Sequence, residues 1–217
     1  MSAEALWAVY DRLLETFGPQ HWWPGDDPFE IMVGAVLTQN TAWTNVERAI
    51  QRLRRCSLLD PNAMLAAPEE ELADAIRPSG YFNVKARRLR ALCRSFLAHE
   101  GVAGMDALET GVLRERLLAV HGIGRETADD ILLYAFQRPV FVIDAYTRRI
   151  FSRLGVVAGD EGYEMLRGLF EGALGENAPV FNEYHALIVR LGKDICRPRP
   201  LCPQCPLQAG CPAATRP

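Results

Sequence analysis

A chain of 217 residues, 49% hydrophobic and 24% charged, has room for one medium or two small domains and the composition of a soluble globular protein. Its longest apolar runs fall far short of the roughly 20 residues that cross a bilayer. The N-terminal MSAEALWAVYDRLLETF lacks the basic and apolar blocks of a signal peptide, so the expected setting is reducing and cytoplasmic, with no membrane. A net charge of −3 excludes a protein that coats nucleic acid through its overall charge, but not one with a local basic face.

In chain order, nearly everything carries helical periodicity, and the predicted fold class is all-α. The first helix is followed by DPFEIMVGAVL, with Phe29, Met32, Val33, Val36 and Leu37 on one stripe and Asp27 placed as an N-cap before Pro28. Helices are then expected in AWTNVERAIQRLRR, EEELADAIR, VKARRLRALCRSFLAHE, LRERLLAV, TADDILLYAF, TRRIFSRLG, EMLRGLFEGAL and FNEYHALIVRLG. Breaks fall at Pro78-Ser79-Gly80 and at Gly122 to Gly124. Only PVFVI, residues 139–143, reads as a strand or an extended buried connector. Lys85 and Lys193 are the only lysines; every other basic side chain, histidine aside, is arginine.

Three local features carry chemistry. Between two helices, Gly122-Ile123-Gly124 followed by Arg125 makes a tight turn whose free N–H groups suit a phosphate oxygen, although a plain helix–helix turn uses glycine in the same way. Asp144 lies eighteen residues beyond Glu126 and reads as a helix N-cap. There its carboxylate is held ionised by helix dipole and amide donors, which suits stabilising a sugar oxocarbenium ion or activating a water. Cys196, Cys202, Cys205 and Cys211 follow a C-x5-C-x2-C-x5-C pattern. Four such thiolates suit zinc or an iron–sulfur cluster equally, while Cys56 and Cys93 sit in helical contexts as structural thiols.

Taken together, DPFEIMVGAVLTQNT, SGYFNVKARRL, VHGIGRETA, VIDAYTRRIFSRLG and the terminal cysteines resemble, in order and spacing, the endonuclease III branch of the helix–hairpin–helix DNA glycosylases. The resemblance implies a six-helix domain over residues 24–137 and a second domain from 1–23 plus 138–217, with a [4Fe-4S] loop at 196–211 and the substrate in the groove between them. Zinc is the alternative metal, and the hairpin leaves room for a monovalent cation. The implied partner is double-stranded DNA with a damaged base, bound by a monomer that is nucleoid-associated if bacterial.

Residue by residue, the resemblance places Asp144 at the catalytic aspartate. Asn40, or its neighbour Gln39, becomes the wedge that fills the space left by an extruded base. Tyr81 or Phe82 presses on the opposite strand, and Lys85, Arg125 and Arg148 join the DNA contacts with Gly122, Ile123 and Gly124. Two departures stand out. The family's first cysteine spacing is C-x6-C, and its catalytic lysine is replaced by Glu126, which cannot form a Schiff base.

The expected activity is therefore hydrolysis of the N-glycosidic bond alone. Lyase chemistry could come only from Lys85, Lys193 or the N-terminal amine. Glu126, Asp129 and Asp130 fall at i, i+3 and i+4 and are expected to share one acidic helix face. Facing a pocket, that face favours a cationic base. The same hairpin resembles a 3-methyladenine glycosylase branch, so alkylated purines are the expected substrate. A bifunctional glycosylase/AP lyase acting on oxidised pyrimidines and a non-catalytic damage binder are the competing activities.

Overall fold

The computed structural model describes residues 3–25 and 27–214. It is 67% helical, with no strand among the described residues, which is the all-α class expected. Among the described residues twelve α-helices follow one another: α1 (Ala3–Phe17), α2 (Pro28–Leu37), α3 (Trp43–Arg55), α4 (Pro61–Ala66), α5 (Glu69–Ala75), α6 (Phe82–Ala98), α7 (Gly101–Asp106), α8 (Thr110–Leu118), α9 (Arg125–Asp130), α10 (Ala145–Arg153), α11 (Tyr163–Leu174) and α12 (Ala178–Asp194). They divide into two compact units, one of Trp23–Phe136 and one of Met1–Trp22 with Gln137–Pro217.

The Trp23–Phe136 unit is built around α2. Asp27 caps it by accepting from the Glu30 N–H at 3.0 Å, and Pro28 occupies its first turn. The stripe read from sequence is buried, and so are Gly34 and Ala35. A helix that is apolar on nearly every side belongs in the middle of its unit. α3, α6 and α9 pack around it. Glu30, buried in its first turn, is balanced by Arg54 of α3 at 2.6 Å.

α9 does not run on as the regular helix expected for TADDILLYAF. After Asp130 the chain widens into a π turn over Ile131–Ala135. This turn brings the Tyr134 ring to 5.0 Å from that of Trp23.

The other unit is organised by aromatic packing. Phe141 stacks on Phe170 at 4.4 Å and meets Phe181 and Tyr184 edge-on. The Tyr184 hydroxyl donates to the Leu6 carbonyl at 2.8 Å, tying α12 to α1. Each of these rings contributes roughly 1.5–3 kcal/mol on burial.

Residues 139–143 are the extended buried connector. The Phe141 N–H is taken by the Glu171 carboxylate at 3.0 Å and the Ile143 N–H by the Tyr163 hydroxyl at 3.4 Å. Side chains thus satisfy backbone donors that a strand would offer to a neighbour.

Candidate functional site

Asp144 ends the buried connector and begins α10. One carboxylate oxygen, Oδ1, accepts from the Thr147 N–H at 2.6 Å and from its hydroxyl at 2.8 Å. The other, Oδ2, lies 3.6 Å from Nε2 of His185 on α12. The residue is only 8% exposed. Burial by itself would raise its pKa. The His185 ring and the two Thr147 donors outweigh burial and hold the carboxyl below the ordinary aspartate value. A buried carboxylate is thus fixed in direction and kept negative. His185 was not singled out in the sequence. Nothing in YHALIVRLG distinguishes it from an ordinary helical histidine.

The glycine turn joins α8 to α9, with the Ile123 N–H donating to the Val120 carbonyl at 3.1 Å. Gly122 has φ +87°, and a Cβ there would collide with the stem of Arg88. Gly124 is different, because its backbone is extended and a Cβ would meet no protein atom. Ile123 is buried, while Gly124, Arg125 and Glu126 are exposed.

The acidic face expected on α9 does not hold together. Asp129 is fully buried and takes a two-pronged ion pair from Arg114, at 2.6 and 3.1 Å. Asp130 is buried and Glu126 is exposed. The charge of Asp129 is balanced inside the fold, not offered to a cationic ligand.

Two exposed tips stand out. Asn40, in the turn after α2, has φ +55°; Tyr81, just before α6, has φ +47° and is 69% exposed. Their neighbours are committed elsewhere. Gln39 donates to the Gly122 carbonyl at 3.1 Å and to the Thr127 hydroxyl at 2.9 Å, and accepts from Arg88. Of the two wedge candidates, Asn40 is the one whose side chain is exposed. Phe82 lies under the Arg77 guanidinium, 4.5 Å from its ring centre.

Lys85, expected among the DNA contacts, is 1% exposed and donates to the Leu37 and Ser79 carbonyls at 2.8 and 2.7 Å. Burial, and to a smaller degree Arg88, lower its pKa to about 8. It is a buried structural cation, because its position in α6 turns it inward. Arg148 donates to the Glu161 carbonyl at 2.7 Å.

The four C-terminal cysteines line one cavity, walled elsewhere by Ile195, Pro200 and Ala213. α10 holds the loop that carries them. Arg149 donates to the carbonyls of Cys196 and Gly192, and Arg153 to those of Arg197 and Pro198 and to Sγ of Cys196 at 3.3 Å. Among the described residues no group of three or more His, Cys, Asp or Glu closes tightly enough around one point for a single metal ion. Burial raises the Cys205 thiol, and the three neighbouring cysteines raise it further, which places the four as one donor set. A soft, four-sulfur set around a shared space fits a cluster larger than one ion.

A second cavity, of about 320 Å³, lies in the Trp23–Phe136 unit against Trp23, Pro24, Trp43, Glu30 and Glu47. The two indoles meet edge to face at 5.0 Å, and Trp43 Nε1 donates to Glu47 at 3.0 Å. The signal available in the sequence was Trp23 in HWWPG, which falls outside any helix, with Trp43 at the start of α3.

The sequence pattern of the HhH-GPD superfamily base excision DNA repair proteins matches residues 33–175. A Methanocaldococcus jannaschii protein bearing the name of a DNA repair glycosylase is 43% identical over 212 residues, 96% of each chain. Among solved structures, an endonuclease III in non-covalent complex with DNA superposes with a TM-score of 0.85 over 99% of this chain and 97% of that one. At 24% identity it speaks for the fold. A 3-methyladenine DNA glycosylase of H. pylori bound to 1,N6-ethenoadenine is 31% identical, with a TM-score of 0.76 over 89% of this chain and 98% of the other.

Proposed function

The chain belongs to the HhH-GPD superfamily of base excision DNA repair proteins, and on that premise we propose that it is a monofunctional glycosylase acting on N-alkylated purines. The observation that carries this reading is the exposed Glu126 at the start of α9, where a lyase would present an amine. The two lysines offer no substitute. Lys85 is sealed against two carbonyls, and Lys193 sits eight residues past His185 on α12, about 12 Å further along the helix axis. The N-terminal amine lies outside the described residues.

The chemistry then rests on Asp144. As the C1′–N bond breaks, its electron pair leaves with the base and positive charge develops on the sugar. The ionised Asp144 stabilises that charge, a water attacks C1′, and the water's proton passes to the carboxylate or to solvent. An N-alkylated purine departs neutral, because the bond's electrons cancel its cation, so no general acid is needed. The H. pylori relative, named a 3-methyladenine DNA glycosylase, supports this substrate class. So does the tryptophan cavity, where Trp23 and Trp43 offer aromatic faces to a flat cationic base beside Glu47, Glu30 being balanced by Arg54. Asp129 of α9, neutralised by Arg114 inside the fold, plays no part in recognising a cation.

Duplex DNA is held by the Gly122–Gly124 backbone and Arg125, with Asn40 and Tyr81 entering the stack. Cys196, Cys202, Cys205 and Cys211 would hold a [4Fe-4S] cluster, whose contribution when bound is to order residues 196–211. Brown colour and visible absorbance, against a zinc assay, test that assignment.

The deciding experiment is a panel of duplexes with one lesion each, with and without alkali. The expected result is release of alkylated purines and strand breaks only after alkali. Nicking without alkali, or efficient borohydride trapping on abasic DNA, overturns the monofunctional reading. Release confined to oxidised pyrimidines overturns the substrate.

A further inference from the structure

We propose that Lys85 is a positioning residue whose buried ammonium sets the spacing of Asn40 and Tyr81, and that this spacing extrudes a lesion from a paired duplex. The inference rests on the glycosylase reading above, which makes those two tips DNA contacts. Its basis is a single nitrogen with two anchors, one 48 residues away in sequence and one 6. Nζ donates to the last carbonyl of α2, at Leu37, and to the Ser79 carbonyl at the end of the 3-10 turn Arg77–Ser79.

Each anchor lies close to a tip, with Asn40 three residues beyond Leu37 and Tyr81 two beyond Ser79. Segments that short leave each tip within roughly 11 Å of its anchor even when fully extended. Both tips also have left-handed backbone, at φ +55° and +47°, and Gly80 between Ser79 and Tyr81 has φ +68°. Such turns hold their shape only while their surroundings fix them. The ammonium stands at the negative end of the α2 dipole, where a cation is favoured.

One turn further along α6, Arg88 binds Gln39, whose amide reaches the Gly122 carbonyl and Thr127. One face of α6 therefore fixes three segments, namely both tips and the glycine turn. Neither Lys85 nor Gln39 needs to touch DNA for this.

The test uses the full chain carrying Lys85→Met, which keeps the stem and removes the charge. Two substrates are compared under single turnover, an alkylated purine paired in a duplex and the same base opposite a one-nucleotide gap. Extrusion is followed separately by the fluorescence of 2-aminopurine placed in the duplex. The variant is expected to release the paired base about 100-fold more slowly, to lose the fluorescence rise, and to process the gapped substrate within about threefold of wild type.

Equal slowing on both substrates, or no slowing on either, overturns the inference. Should Lys85→Met fail to fold, Gly80→Ala decides instead: it strains the link between anchor and Tyr81 without touching the lysine, and the same split is expected. A wild-type protein that releases no base and gives no fluorescence change removes the glycosylase reading, and the inference with it. A wild-type protein that does both, with variants that show no split, removes the inference alone.

Discussion

Asp144 and Lys85 are both buried and both charged, but the chain meets the two demands in different ways. Asp144 is served mainly by its own helix, through the N–H and hydroxyl of Thr147 three residues on. Lys85 is served across the fold, by carbonyls 48 and 6 residues away in sequence. Asp129 follows the second pattern, with Arg114 fifteen residues before it. Local support makes a precise group on one element. Distant support makes a joint between elements, so its loss reaches beyond the residue itself.

Stability gives the sharpest contrast. Arg114→Met strips the fully buried Asp129 of its two-pronged partner and should cost about 3–5 kcal/mol, read as a large drop in the urea midpoint. A loss below about 1 kcal/mol would mean that distant support matters no more than local support.

Next comes Asp144→Asn, nearly isosteric and still able to accept from Thr147. Base release should fall by about 100- to 1,000-fold, while DNA affinity and melting temperature stay close to wild type. Weakened folding in this variant would blur the distinction between a group placed for chemistry and one placed for architecture.

Thr147→Val removes one donor to Asp144 and should destabilise by about 1 kcal/mol. The folded pKa of Asp144 is depressed, so its contribution is complete above the unfolded value and is lost as pH falls through the lower folded one. Raising the folded pKa shrinks that contribution and moves its loss to higher pH. Acid unfolding followed by circular dichroism should therefore begin earlier in the variant.

The smallest effect on the fold belongs to Gly124→Ala. With extended backbone and open space at the Cβ position, stability should change by less than about 0.5 kcal/mol. Affinity for duplex DNA should still fall, because on the proposed reading the new methyl group stands where a phosphate approaches. An unchanged dissociation constant would show that the turn does not hold the backbone at Gly124.

The same division explains what could be read in advance. Most helix identities, the Asp27 and Asp144 caps and the extended connector follow from neighbours a few residues apart, which sequence displays directly, whereas the short α4 and α7 are not among the helices expected and Ile131–Ala135 departs from one that is. Burial of Lys85, the claim of Arg114 on Asp129 and the commitment of Gln39 depend on partners 15 to 88 residues away. The family resemblance put Lys85 with the DNA contacts, and helical spacing put the three carboxylates on one face. His185 was invisible for the same reason, since its meaning comes from lying 3.6 Å from a residue 41 positions earlier.

The arginines of α10 have one more consequence. The helix carries Asp144 at its head and, nine residues later, Arg153 gripping the cysteine loop at its foot. It is a rod about 14 Å long, pinned at both ends and too short to bend. Any shift of the loop at the foot must therefore swing the aim of the carboxylate at the head. On the proposed reading the cysteine loop is a trim adjustment on Asp144, and damage to it should register first as misdirected chemistry, well before the chain unfolds.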